Sequence, residues 1–388
     1  MIIQAMNLEQ LLPAIAGMTW PDLVMIGVGL LLIYLAIAKN YEPTLLLPMG
    51  FGAILVNIPL SSALTQIDPA TGQAVEGVLN VFFNAGIATE IFPLLIFIAI
   101  GAMIDFSPLF RNPSLLLFGA AAQLGIFLTM MLATLLGYDL REAASIGIIG
   151  AADGPTSIIV ASRFAPSLLG PISVAAYSYM ALVPIIQPPV IRLLTSRRER
   201  LIRMSSGSAR KISKKALILF PIAVTIVAGI IAPSSLALIG FLMFGNLVRE
   251  CGVLNKLSLS AQNELASLVT LLLGITIAST MTADRFIRVD TLIIIALGLF
   301  AFVLDTFGGV IFAKFLNLFR REGNKMNPMI GACGISAFPM SARVIHQMGL
   351  KEDPYNYLLM PAISANVGGQ IGSVVAGGII LTLVPFFA

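Results

Sequence analysis

The stretch from Gly147 to Arg163, GIIGAADGPTSIIVASR, sets a carboxylate, Asp153, directly ahead of Gly154 and Pro155 in an otherwise apolar run. Glycine lowers helix propensity, and proline deletes a backbone donor and pushes the preceding residue out of the α region. The spacing therefore predicts a broken helix. Unwound backbone at membrane depth is tolerated only where protein or a wet cavity surrounds it. A carboxylate at a helix centre costs about 2.5 to 3.5 kcal/mol on the insertion scale, so the residue marks an ion or proton site. The structural alternative is an aspartate that only caps the following half-helix.

A second interruption runs from Asn327-Pro328 through Gly331, Gly334, Ser336, Pro339 and Ser341 to Arg343. The two breaks together offer one titratable carboxylate, Asp153, and neutral oxygens from Thr156, Ser157, Ser336 and Asn327. Unwound carbonyls near Gly154 and Gly331 add more. Hard oxygens with few formal charges suit Na+ or H+ and not a transition metal. Arg343 can hold a carboxylated group in bidentate fashion, or serve as counter-charge to a buried aspartate. Tyr179 is either an interfacial aromatic or a hydrogen-bond donor to the site. In the Gly-rich stretch Ser364–Ser373, Asn366 and Gln370 stand one turn apart and face one cavity, with Asn366 a candidate ion ligand. Small residues at such spacing also serve close helix packing.

The elements that must position these groups are membrane helices. Hydrophobic residues make up 58% of the chain and charged ones 11%, with a mean hydropathy of +0.96. That excludes a soluble globule, whose charged share is about 25%. The net charge of +4 falls at segment ends and in one loop, which is a topology signal and not a nucleic-acid footprint. Cys251 and Cys333 lie far apart and show no metal-ligand spacing, and His346 reads as a loop or packing residue.

Residues 1–20 are expected to form an interfacial amphipathic segment anchored by Trp20. Spans are predicted at Asp22–Ala38, Thr44 to Leu60, Glu90–Ile104, Ser114–Leu136 and Ile172–Leu194, with the polar stretch Ser61–Gly77 an extramembrane loop. Nine Lys or Arg lie between Arg192 and Lys215, so residues 196–215 form a cytoplasmic loop.

Beyond this loop the chain echoes itself at an interval of about 180 residues. Met103 and Asp105-Phe106 match Met281, Asp284 and Phe286; Ile149-Gly150-Ala151 matches Ile330-Gly331-Ala332; Tyr177 and Tyr179 match Tyr355 and Tyr357. The expected fold is an all-α polytopic membrane protein of two inverted repeats, 21–195 and 216–388. Each holds about five spans and one re-entrant hairpin, at 141–163 and 327–346. An outside N-terminus leaves only Arg141, Arg163, Arg285 and Arg288 outside, among the basic residues that are not in the second hairpin.

Ile149 through Ile158, read with Asn327-Pro328 through Ser341-Ala-Arg343, resembles the membrane β subunit of the biotin-dependent sodium-pumping decarboxylases, over nearly the whole chain. The resemblance implies a subunit of the bacterial cytoplasmic membrane that decarboxylates carboxybiotin, exports Na+ and consumes a proton. Biotin would reside on another chain, and no Met-Lys-Met biotinylation motif occurs here. Implied partners are a carboxyltransferase α-like subunit, a biotin carrier, a small membrane γ/δ-like subunit and further β copies, with no nucleic acid. By the family pattern Asp153 is the essential ion and proton site, Tyr179 the tyrosine of the next span, and Asn327, Gly331, Ser336 and Arg343 the second-segment residues. The run Gly150-Ala151-Ala152 is a mild departure, since many members have a second glycine in this motif, and it leaves the aspartate undisturbed. The competing class is a Na+-coupled secondary transporter of organic anions, which composition and repeats fit equally well.

Overall fold

The computed structural model describes residues 17–67, 71–111, 113–204, 212–231, 233–321, 323–337 and 339–388. Most of the expected interfacial segment 1–20 and the middle of the basic loop lie outside these residues. In chain order the principal elements are α1 (Trp20–Lys39), α2 (Pro43–Val56), β1 (Gln66–Ile67), β2 (Ala74–Val75), α3 (Ile91–Met103), α4 (Leu124–Leu135), α5 (Leu140–Gly147) and α6 (Gly154–Phe164). They continue with α7 (Leu169–Leu194), α8 (Lys214–Ile231), α9 (Leu236–Glu250), α10 (Ala266–Ile277), α11 (Val289–Leu318), α12 (Met340–Glu352) and α13 (Leu359–Phe387).

Five helical stretches among the described residues are long and apolar enough to cross a membrane, or seven if two bent pairs each count as one span. The expectation of about five full spans in each half is higher than this count, since some expected spans are shorter helices. One of them, α2, has 14 residues, fewer than the ~20 a straight crossing needs. The stretch Ser61–Gly77, expected as a plain loop, contains the antiparallel pair β1–β2.

The chain divides into two compact units. In the first, residues up to Pro93 join Ser267–Leu292. Here α1 packs on α2 where Gly29 and Gly50 face each other, and a Cβ on Gly29 would come within 2.7 Å of the Gly50 carbonyl oxygen. Asn57, just past α2, donates to the Ala53 and Met281 carbonyls at 2.8 Å each and accepts from Ala283 N–H at 2.8 Å.

The second unit holds the remaining helices around a core that includes Phe97, Phe106, Ile126, Ile148, Leu242 and Val374. Asn246 on α9 plays the part there that Asn57 plays in the first. It donates to the carbonyls of Ile104 (2.8 Å) and Gly101 (3.3 Å), while Arg249 donates to that of Met103 (2.6 Å). Carbonyls at a helix end have no intrahelical partner, and in an apolar surround each must find one.

The first part of the basic loop is docked, not free. Ser196 and Glu199 form a capping box, Lys314 pairs with Glu199 (3.1 Å), Arg200 with Glu352 (2.7 Å) and Arg203 with Asp353 (2.6 Å). Asn327 and Asn356 hold the Arg200 carbonyl at 2.8 and 2.9 Å. The Arg203 guanidinium, with help from the Tyr355 N–H, keeps the Asp353 carboxyl below the ordinary aspartate range.

Two outcomes follow from these anchors. Asn246→Ala leaves the Gly101 and Ile104 carbonyls unpaired, at about 1 to 3 kcal/mol for each buried group, and is expected to lower the unfolding midpoint in a detergent thermal melt. Because the Asp353 carboxyl is depressed in the folded state, its contribution is complete above the ordinary aspartate range and is lost as pH falls through its lower folded value. Tryptic cleavage at Arg200 and Arg203 is expected to stay slow from neutral pH down through that range and to accelerate only below it. Asp353→Asn is expected to be cleaved faster already at neutral pH.

A candidate cation site between two broken helices

The first break is formed by α5, a 3-10 turn at Ile148–Ala151, and α6. Ala152, in the left-handed region at φ 51°, reverses the chain, a conformation that strains a non-glycine residue by roughly 1 to 2 kcal/mol. Asp153 follows in extended geometry as the residue that starts α6, 3% exposed. Its position at a helix N-terminus favours negative charge. Its Oδ2 accepts from the Thr156 hydroxyl at 2.7 Å and lies 3.0 Å from the Ser373 hydroxyl of α13. Ser373 Oγ is also 3.0 Å from the Gln370 carbonyl, and its one proton can serve only one of these acceptors at a time.

The second break starts with a 3-10 turn, Pro328–Gly334, and leaves Ile335 extended. It meets the first directly, because the Ser336 N–H donates to the Ala151 carbonyl at 3.0 Å. Side-chain amides hold its remaining backbone. Asn366 donates to the carbonyls of Ile335 (2.7 Å) and Cys333 (3.2 Å), Gln370 to that of Ser336, and Gln187 to that of Ala332 (2.9 Å). Ser341 closes the clamp by donating to Gln187 Oε1 at 2.9 Å.

What these amides leave over defines the chemistry. Asn366 Oδ1 and Gln370 Oε1 are buried, with no hydrogen-bond partner among the described residues, and the buried Ser336 hydroxyl interacts with the Asp153 carboxyl. Buried polar atoms in native proteins are almost always paired. These two oxygens, the Ser336 hydroxyl and the Asp153 carboxylate are hard oxygen donors with one formal charge, a candidate set for a cation.

Of the residues singled out in the sequence, the structure brings Asp153, Ser336 and Asn366 into this one bonded network. Gly331 lies on the same segment, packed so closely on Gly309 of α11 that neither admits a side chain. Asn327 stands at its start with both amide atoms engaged, Oδ1 to the Met329 N–H and Nδ2 to the Arg200 and Ile202 carbonyls. Tyr179 is buried, and its hydroxyl donates to the Ile295 carbonyl on α11, so it is not an interfacial aromatic. Its sequence neighbour Tyr177 is the one against the Asp-Gly-Pro turn, where a side chain on Gly154 would run into its ring. Arg343 is exposed on α12 and makes no ion pair among the described residues, so it is not the counter-charge of a buried aspartate.

Ser373 and Gln187 were not assigned to the site from the sequence. Ser373 is 220 positions from Asp153 and sits in a stretch that reads as packing glycines, and Gln187 is hidden beside Pro188-Pro189. A polar residue in an apolar run is the signal that both carry.

The family model of the Na+-transporting oxaloacetate decarboxylase beta subunit matches residues 21–384. The methylmalonyl-CoA decarboxylase subunit beta of Propionigenium modestum is 48% identical over 383 residues, covering 95% of this chain and 96% of that one. The glutaconyl-CoA decarboxylase subunit beta of Acidaminococcus fermentans is 49% identical over 366 residues, 94% of each. The oxaloacetate decarboxylase beta chain of Klebsiella pneumoniae is 45% identical over 413 residues, covering 93% and 94%. With its apolar helices, the chain is a multi-pass protein of the bacterial inner membrane, and it belongs to the family of the β subunits of the Na+-transporting decarboxylases.

Proposed function

We propose that this subunit decarboxylates carboxybiotin delivered by a partner chain, exports Na+ and consumes a proton, with the ion held where the two broken helices meet. The observation that carries the reading is the pair of buried amide oxygens, Asn366 Oδ1 and Gln370 Oε1, without a partner among the described residues, in a network that reaches the Asp153 carboxylate through Ser373. A cation would complete such a set. Carboxybiotin takes up one proton to give biotin and CO2, and Asp153 carries H+ or Na+ in alternation. Moving one Na+ outward against ~100 mV costs ~2.3 kcal/mol, which the exergonic decarboxylation must supply.

The remaining residues take supporting roles in this reading. Gly331 lets the second break lie flat on α11, and Asn327 ties its start to the cytoplasmic loop. Arg343, exposed and unpaired, receives the carboxylate of the carried group. Tyr179 is a proton relay once its hydroxyl leaves the Ile295 carbonyl. Biotin stays on a carrier subunit, beside a carboxyltransferase and a small membrane subunit, and the β chain assembles with copies of itself. The relatives' names cite three different acids, so the choice of acid lies with the carboxyltransferase.

The proposed architecture is two inverted repeats, 21–195 and 216–388, separated by the loop 196–215. The reciprocal asparagines support it: Asn57 of the first half closes carbonyls at Met281, and Asn246 of the second closes those around Met103, the methionine matched to Met281 in the sequence. The alternative of a carrier for organic anions is not favoured by the family.

In inverted vesicles containing the reconstituted complex, 22Na+ uptake and carboxybiotin decarboxylation are expected to depend on each other in wild type and to be lost together in Asp153→Asn. Ser373→Ala removes one hydrogen bond to a charged group, worth about 1.5 to 3 kcal/mol, and is expected to raise the Na+ concentration for half-activation at least tenfold. Decarboxylation that persists in Asp153→Asn without Na+ movement would overturn the assignment.

A further inference from the structure

The basic residues that follow α11 line a cavity as well as facing solvent. α11 ends at Leu318, and Phe319, Arg320 and Arg321 come at once. Phe307, Ile311, Phe315 and Phe319 recur every fourth position, so they form one stripe along the helix and its last turn. All four are exposed, Phe319 by 75%. Phe315 and Phe319 meet edge to face with ring centres 5.2 Å apart.

Two cavities lie along this stripe, and the same two walls build both within the second unit. The first, about 460 Å³, is apolar but for Gln123, with Ala121, Leu124 and Phe127 on one wall and Phe307, Ile311 and Phe315 on the other. The second, about 480 Å³, takes Ser114 and Leu115 from the first wall and Phe319 to Arg321 from the second. Lys325 and Arg203 also line it. The walls therefore pass from hydrocarbon side chains to guanidinium groups within about one helix turn beyond Phe315.

No carboxylate among the described residues lines the second cavity. Arg320 and Arg321 make no ion pair among the described residues, and Arg320 donates to the Asn324 carbonyl at 3.4 Å. Arg203 is paired with Asp353, and Glu322, in the same turn as the two arginines, lies outside the described residues. Such cations have a plainer role, since they suit a helix C-terminus and fix the orientation of a membrane segment. That role calls for neither the cavity nor the apolar groove that leads into it.

We propose that the two cavities are one binding site for an anionic phospholipid, its phosphate diester among Arg320, Arg321 and Lys325 and an acyl chain in the groove beside Phe307, Ile311 and Phe315. Guanidinium forks match phosphate oxygens, and basic pockets between membrane helices hold anionic headgroups. The groove decides between a lipid and a soluble anion or an acidic protein surface. Phe307 stands about 16 Å inside the span from Leu318, at a depth that acyl chains reach and a soluble partner does not. The site contains none of the residues assigned to the ion, so the inference is independent of the sodium-site reading.

The test is native mass spectrometry of the purified complex, stripped of lipid in detergent and titrated with dioleoyl phosphatidylglycerol, dioleoyl phosphatidylcholine or deacylated glycerophosphoglycerol. Wild type is expected to bind phosphatidylglycerol roughly tenfold more tightly than either of the others, and Arg320→Gln with Arg321→Gln to lose that preference. Arg320→Lys with Arg321→Lys keeps the charge, guards against a folding defect in the glutamine pair, and is expected to keep the preference. Phe315→Ala is expected to weaken phosphatidylglycerol alone. Equal binding of the two lipids, or a preference that survives the glutamine pair, overturns the proposal. Glycerophosphoglycerol binding as tightly as the lipid makes this a soluble-phosphate site and overturns it as well. So does a glutamine pair that loses the biotin carrier subunit while lipid binding is unchanged, since the surface then belongs to a protein.

Discussion

The structure depends on one constraint, a carboxylate held at a helix break inside an apolar body with no basic side chain against it among the described residues. Asp153 receives Thr156 and Ser373 and no Lys or Arg. Hydroxyls soften the burial of a charge without neutralising it, so the ionised form is stable there only when a cation joins it. The break itself is costly, with Ala152 forced left-handed and the backbone beyond it unwound. That strain persists because the neighbouring segments over-determine the turn, as strained residues at functional sites require.

A division of labour within side-chain amides supplies the neighbouring segment. Asn366, Gln370 and Gln187 each spend their N–H groups on carbonyls of the Ala332–Ser336 stretch, which would otherwise be unsatisfied in an apolar surround. Gln187 also spends its oxygen, on Ser341, and acts as a clamp. Asn366 and Gln370 keep theirs, which distinguishes residues that build the fold from residues with something left to offer a ligand. Glycine pairs such as Gly331 and Gly309 let these segments approach to backbone contact, so the amides reach their carbonyls without bending the long helices.

Much of this was legible in the sequence, and what was missed has a physical reason. Gly154-Pro155 after Asp153 declared the first break, Pro328 and the glycines after it declared the second, and the amides at 366 and 370 stood out against their small neighbours. Partnerships across the fold were not legible. In helices apolar on all sides no hydrophobic face announces orientation, so nothing showed that Ser373 would turn to Asp153 or that Asp305 would reach Gly125. Tyr177 and Tyr179 lie two apart on one helix and point differently, so the one resting on the Asp-Gly-Pro turn could not be chosen by spacing. Arg343 looked equally suited to a buried partner or a delivered one, and only its exposure on α12 separates the two.

The most direct measurement of the central claim is the equilibrium affinity of the purified complex for 22Na+ with Ser336 replaced by alanine. The Ser336 hydroxyl is buried and interacts with the Asp153 carboxyl, so its loss reports on that carboxyl and on the ion it holds. If the two broken helices enclose a cation, Ser336→Ala weakens Na+ binding about tenfold while the melting temperature in Na+-free buffer stays at the wild-type value, since one ligand oxygen is worth roughly 1.4 kcal/mol at that ratio. An unchanged Na+ affinity would contradict the placement of the ion between the two breaks.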